Sequence, residues 1–186
     1  MSTNENHALG IVETNSVPRG ILVTDEMIKR AHIDVVESCP MCPGKYLSMI
    51  RGPVGDVRQS VEHGVDVAGA FFVDSVVIPD IHPDVLPAMA RTSSFSAIEA
   101  LGIIETHAMA SAVEVADRIA KHAQVYLLEL RLSRCLGGKS FVAFTGDVGA
   151  VRAAGEEGEG LARERGQLVH SVVIARPHHQ LHGFLV

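Results

Sequence analysis

An internal repeat constrains this chain more than any other feature. Ala8-Leu-Gly-Ile-Val-Glu-Thr14 returns as Ala100-Leu-Gly-Ile-Ile-Glu-Thr106, and Gly44-Lys45 returns as Gly138-Lys139. Gly52-Pro-Val-Gly-Asp-Val-Arg58 returns as Gly146-Asp-Val-Gly-Ala-Val-Arg152. Ser75-Val-Val-Ile78 returns as Ser171-Val-Val-Ile174, and His82 and His178 come after them at the same distance. Blocks that keep their order at nearly constant spacing mean two copies of one module. The copies are read as residues 8–89 and 100–186, joined by a Ser-rich linker at 90–99.

The hydrophobic pattern of each copy reads β-α-β-β-α-β. This is an α/β (α+β) module of ferredoxin-like build, duplicated in tandem. Leu9–Glu13 is the first strand. Ser16 caps the helix after it, with Pro18 in its first turn, where a missing N–H costs nothing. Val17, Ile21, Ile28 and Ala31 share one face of that helix, as do Met109, Val113, Ala116, Ala120 and Ala123 in the second copy. Second strands are expected at 33–37 and 125–132, and third strands at 46–50 and 140–145. Val54, Val57, Val61, Val65 and Ala68 mark the second helix. Its counterpart holds Gly155, Gly158 and Gly160, each costing about 1 kcal/mol against Ala in a helix, so a close approach is expected there. Strands at 73–78 and 169–174 close each sheet, and 83–89 adds a short helix.

Hydrophobic residues make up 47% of the chain and charged residues 20%, which supports a packed core and excludes disorder. With aromatics at 4%, the core must be built from Val, Ile, Leu and Ala. A net charge of −6 argues against nucleic acid, whose phosphates want clustered Lys and Arg. Mean hydropathy is +0.21. Even so, apolar runs such as 68–73 and 125–128 fall far short of the ~20 residues of a membrane helix. The polar stretch Met1–His7 lacks the basic-then-apolar plan of a signal peptide. The expectation is a cytoplasmic protein without membrane contact, its apolar surplus spent on subunit interfaces. Three cysteines, an odd number, do not suggest a disulfide framework. No nucleophile elbow, phosphate loop or dinucleotide fingerprint is present, so no enzyme activity is expected.

The repeated blocks resemble the bacterial microcompartment shell domain. The resemblance rests on the first-strand Ala-Leu-Gly-Ile-Val-Glu-Thr, on Lys29 and Lys121 late in the first helix of each copy, on Gly-Asp-Val-Gly at the second helix, and on Arg176-Pro177-His178 after the last strand. It covers nearly the whole chain. It implies a homotrimer of pseudohexameric shape that tiles with itself and with other shell proteins in a microcompartment shell. Closed rings are the usual outcome of head-to-tail interfaces, and a duplicated domain replaces identical contacts with pairs of two kinds. The resemblance also implies that Lys29, Lys121 and Arg176 lie at tile edges. Read alone, a lysine late in a helix also simply faces the helix dipole and solvent.

In the family, the loop between the second and third strands lines a central pore. Here that loop brings Cys39, Pro40, Met41, Cys42, Pro43 and Gly44 in the first copy, and Leu136, Gly137 and Gly138 after Cys135 in the second. Tandem members of the propanediol-utilisation type share Cys42-Pro43-Gly44-Lys45. That likeness implies that Cys42 from three chains holds a [4Fe-4S] cluster with one iron open, and it makes encapsulated redox enzymes further partners. Such clusters are held by Cys thiolates, and bacterial ferredoxins place a proline directly after a ligand Cys. Cys39 has no match there; it is a second ligand, a reserve thiol or neither. Cys135 reads as a packing residue. The residues alone leave other readings open: zinc, a metal-free metabolite pore, a trimeric small-molecule sensor, or a thiol redox protein. A thioredoxin-like dithiol needs its motif to open a helix, and here a strand comes next. His178, His179 and His182 have a spacing that suits metal, but the family motif already accounts for His178. His82, His107 and His122 show no partner pattern.

Overall fold

The computed structural model describes residues 7–95 and 97–184. It divides into two compact units, one ending at Ile81 and the other beginning at His82. The first carries β1 (His7–Thr14), α1 (Val17–Arg30), β2 (Asp34–Met41), β3 (Lys45–Pro53), α2 (Val54–Ala68) and β4 (Phe72–Ile78). The second carries α3 (Val85–Ala90), β5 (Ala100–Thr106), α4 (Met109–His122), β6 (Tyr126–Leu132), β7 (Ser140–Gly146), α5 (Val148–Glu164) and β8 (Leu168–Ile174). Each unit has one antiparallel sheet, ordered β2-β3-β1-β4 in the first and β6-β7-β5-β8 in the second. The stretch 83–89, read from the sequence as the end of the first copy, forms α3 in the second unit. It goes there because α3 packs on β6 and α4, with Val85 and Ala88 buried, and because the His82 N–H donates to Asp117 Oδ1 at 2.8 Å.

Ser16 caps α1 as expected, its Oγ accepting from the Arg19 N–H at 3.5 Å, with Pro18 in the first turn. The face that α1 buries is not the apolar one read from the sequence. Gly20, Val23, Thr24 and Met27 are buried, whereas Ile21 and Ile28 are exposed. A Cβ at Gly20 would lie 2.3 Å from the Cβ of Tyr46 on β3, so only glycine allows this approach, and the contact fixes the rotation of the helix. Thr24 lies one turn later and bonds Ser48 Oγ at 2.7 Å. In α4 the expected residues Met109, Val113 and Ala116 are buried. The core of the first unit joins Val12, Val23, Met27, Ile50, Val57 and Val61.

Two repeated blocks meet in space. Lys45, the first residue of β3, places its Nζ 2.6 Å from Oε1 of Glu13 on β1; Lys139 and Glu105 repeat the contact at 2.6 Å. Glu13 is wholly buried, while Glu105 and Lys139 are partly exposed. The close approach expected of the α5 glycines holds at two of them. A Cβ at Gly158 would meet Ile104 at 2.6 Å, and one at Gly155 would meet Val173 at 3.2 Å, but Gly160 faces nothing within 4 Å.

Gly20→Ala should destabilise the chain by about 1–3 kcal/mol through overpacking against Tyr46. Gly160→Ala should stabilise it by up to about 1 kcal/mol, since it adds helix propensity and no clash; urea unfolding of both variants reads the contrast. Lys45→Met should cost about 3 kcal/mol by depriving a buried carboxylate of its cation, and Lys139→Met less than about 1 kcal/mol, because that pair is screened by water. Equal losses in the same unfolding assay would contradict this difference.

Candidate functional site

The first hairpin is tighter than the sequence pattern suggests. Cys39, Pro40 and Met41 are not loop residues but belong to β2, opposite Leu47, Tyr46 and Lys45. The loop itself is Cys42-Pro43-Gly44, closed by the Gly44 N–H donating to the Met41 carbonyl at 3.0 Å. Gly44 takes the turn at φ 85°, and the Cys42–Pro43 peptide is cis. Pro40 hid the strand from a reading of the pattern. β2 is an edge strand of its sheet, and the edge is where a ladder tolerates proline.

The two cysteines of this hairpin have different surroundings. Cys42 is exposed at the tip, and Cys39 is half-buried on the strand. Strand alternation sets Glu37, Cys39 and Met41 on one face. The Cys39 thiol donates to Glu37 Oε1 at 3.2 Å and lies 3.6 Å from Met41 Sδ. In the second copy the corresponding strand positions are Glu129 and Arg131, and Arg131 reaches Glu129 at 2.7 Å. Cys39 therefore stands where the other copy has an ion-paired arginine, and it is tied to its own strand.

Beneath the tip, hydroxyl groups link the hairpin to α1. Ser38 Oγ lies 2.8 Å from the Tyr46 hydroxyl and 3.0 Å from Thr24 Oγ1, which in turn meets Ser48. The sequence reading missed this network. Its signal was a set of hydroxyl residues on two neighbouring strands and a helix, buried at Thr24, Tyr46 and Ser48 and exposed at Ser38. Bonds within the second loop brace it. Ser133 Oγ donates to the Gly138 carbonyl at 2.9 Å, the Ser133 N–H donates to Ser140 Oγ at 3.2 Å, and the Lys139 N–H donates to the Leu136 carbonyl at 3.2 Å. Ser133, Cys135, Gly137 and Gly138 all have positive φ. Cys135 is exposed, not packed inside as its residue type suggests, because this left-handed turn carries it to the surface.

Among the described residues, no group of three or more His, Cys, Asp and Glu is placed to hold a metal ion. The His178 and His179 rings lie 4.3 Å apart, and the side chain of His182 falls outside the described residues. Lys29 and Lys121 occupy equivalent last-turn positions of α1 and α4. Lys29 bonds Asp25 and Glu26, and these hydrogen bonds, that of Asp25 first, raise its pKa and keep it charged. Lys121 bonds Asp117 at 2.7 Å. Arg176 is exposed just beyond β8.

The BMC domain model matches this chain twice, at residues 8–81 and 100–177. The chain is 38% identical over 176 residues to the bacterial microcompartment shell protein PduT of Citrobacter freundii, covering 95% of this chain and 96% of that protein. A crystal structure of a microcompartments protein from Desulfitobacterium hafniense DCB is similar with a TM-score of 0.84 and 44% identity, covering 96% of this chain and 99% of that one. A fused permuted hexameric shell protein of the RMM microcompartment shares the fold, with a TM-score of 0.66 at 18% identity over 88% and 87% of the two chains. With the repeat, the paired sheets and the end-to-end similarity in agreement, the chain belongs to the BMC-domain family, as a member with two domains in tandem.

Proposed function

We propose that this chain is a structural tile of a bacterial microcompartment shell, built as a ring of three chains. In this reading the β2–β3 tips gather around the ring axis, and Cys42 from each chain is a ligand of a shared [4Fe-4S] cluster. The observation that carries it is the placement of Cys42. It is the exposed apex of a three-residue turn, while the neighbouring Cys39 and Lys45 are engaged by Glu37 and Glu13. The donor set fits: iron–sulfur clusters take thiolates, and a ring supplies three of them where one chain supplies one. When bound, the cluster would supply one-electron transfer through the tile. The chain's own part is to hold the tip stiff, through Pro43, which fixes φ, and through the Ser38–Tyr46 bond beneath it.

The tile reading assigns no catalysis to the chain. Its partners are further copies, other shell proteins and encapsulated redox enzymes, and its place is the shell inside the cytoplasm. Among the described residues, no helix is long and apolar enough to cross a membrane. Lys29, Lys121 and Arg176 serve the tile edge, where a weak contact repeated over a sheet adds up.

Sedimentation should give the mass of three chains. After anaerobic reconstitution, wild type should hold iron and acid-labile sulfide with a brown absorbance. Cys42→Ser should lose both while keeping its mass and circular dichroism, and Cys135→Ser should keep both. Equal loading of wild type and Cys42→Ser would sink the cluster and leave a pore for small polar metabolites. Lys29→Ala and Lys121→Ala should form trimers but sparser sheets by electron microscopy; sheets as extensive as the parent's would remove these residues from the edge.

A further inference from the structure

On one face of β2, two different donor atoms converge on a single thiol. Cys39 Sγ lies 3.2 Å from Glu37 Oε1 and 3.6 Å from Met41 Sδ, so a carboxylate oxygen and a thioether sulfur share the thiol proton. The three residues alternate along an edge strand, which puts their side chains on one side of the sheet. Cys39 is half-buried and Met41 is 6% exposed, so solvent reaches the thiol and the thioether backs it. Methionine sulfur sets this trio apart from the His, Cys, Asp and Glu groupings that hold harder ions.

The second copy shows what this strand position accepts. Cys39 lies opposite Leu47 and Arg131 opposite Phe141, and Leu47 and Phe141 in turn face the repeated glutamates Glu13 and Glu105, so Cys39 and Arg131 are equivalent. Arg131 sets a cation 2.7 Å from Glu129, and Arg91 sets another at 2.7 Å. In the first copy the place of Arg131 is taken by a thiol with a thioether behind it, beside the equivalent Glu37. The strand face thus accommodates an electropositive group beside this carboxylate, and a metal ion on the two sulfurs is such a group.

We propose that Cys39 and Met41 bind one soft monovalent metal ion, Cu(I), with Glu37 Oε1 as a third and weaker contact. Thiolate and thioether ligands select Cu(I), whereas carboxylate and water suit harder ions. The sulfurs, 3.6 Å apart, are closer than two metal–sulfur bonds of about 2.3 Å laid end to end, so one ion touches both without opening the strand. Binding replaces the shared proton. The S–H bond breaks, an S–Cu bond forms and the proton leaves to water; copper stays Cu(I), so nothing is oxidised. The site lies within one chain and requires neither a ring of chains nor a cluster at Cys42.

Anaerobic titration tests this on the full chain carrying Cys42→Ser and Cys135→Ser, in which Cys39 is the only thiol left. In competition with the coloured Cu(I) chelator bicinchoninate, this chain should retain one Cu(I) per chain. Adding Cys39→Ser should abolish the retention. Adding Met41→Leu, which conserves volume in the core, should weaken it by about tenfold or more, and adding Glu37→Gln should weaken it less. Ag(I), a diamagnetic stand-in for Cu(I), reads the second sulfur with Met41 left in place. In protein labelled at the methionine methyl carbons, the Met41 signal, identified by sequential assignment, should shift with one equivalent of Ag(I) while the other methionine signals stay. Cu(I) held as tightly after Met41→Leu overturns the proposal, and so does a silent Met41 methyl, since Cys39 is then a thiol acting alone. Zn(II) that displaces Cu(I) at equal concentration overturns the soft-ion assignment. Each of these results leaves the proposed cluster untouched, because Cys42 is absent from the chain tested.

Discussion

Gly20 lies against Tyr46 so closely that no side chain fits between α1 and β3. Much of the first unit depends on this contact. It turns Val23, Thr24 and Met27 toward the sheet and leaves Ile21 and Ile28 outside. It also holds the Tyr46 ring where its hydroxyl meets Ser38 on the neighbouring strand. Through that bond the frame of the β2–β3 hairpin, and so the position of Cys42, is coupled to the packing of a helix. A site on a loop is only as well placed as the elements that support it.

The repeat made the fold legible from the sequence. Two copies of each block, in order, fixed the number and sequence of elements, and the alternation of apolar residues gave their type. The buried face of α1 was not legible in the same way. The hydrophobic period marks where apolar residues cluster, and in α1 Ile21 and Ile28 lie on the side that faces away from its own sheet, while Gly20 and Thr24 face inward with Val23 and Met27. A pattern reading takes apolar for buried, and that rule runs only one way, since folded chains also expose apolar residues. The hairpin was obscured for a different reason. Pro40 and Pro43 look like loop residues, but an edge strand accepts one and a tight turn the other, so the strand runs further than its composition suggests. Cys135 was misplaced because residue type says little about a left-handed turn.

Duplication has let the halves diverge while keeping their skeleton. The Glu–Lys pair at the base of the hairpin survives in both, buried in one copy and partly open in the other. The tip beyond it differs, a Cys-Pro-Gly turn in the first copy and a glycine-rich one in the second. On the adjoining strand face, a thiol replaces an arginine beside an unchanged glutamate. Framework positions answer to backbone geometry, which both copies share, and exposed tip positions are free of that constraint.

Each sheet ends in two edge strands, and an open edge is a template for adding strands without limit, as in fibrils. Here β2 is interrupted by Pro40 and by a register shift between Val35 and Glu37, and β6 by a shift between Leu127 and Glu129. Neither of these two strands is a regular template along its whole length. In the proposed tile, copies that meet along these strands do so through side chains, whose contacts are individually weak and directional. Growth of the proposed sheet by such contacts is reversible: a misjoined neighbour can leave before the lattice closes around it.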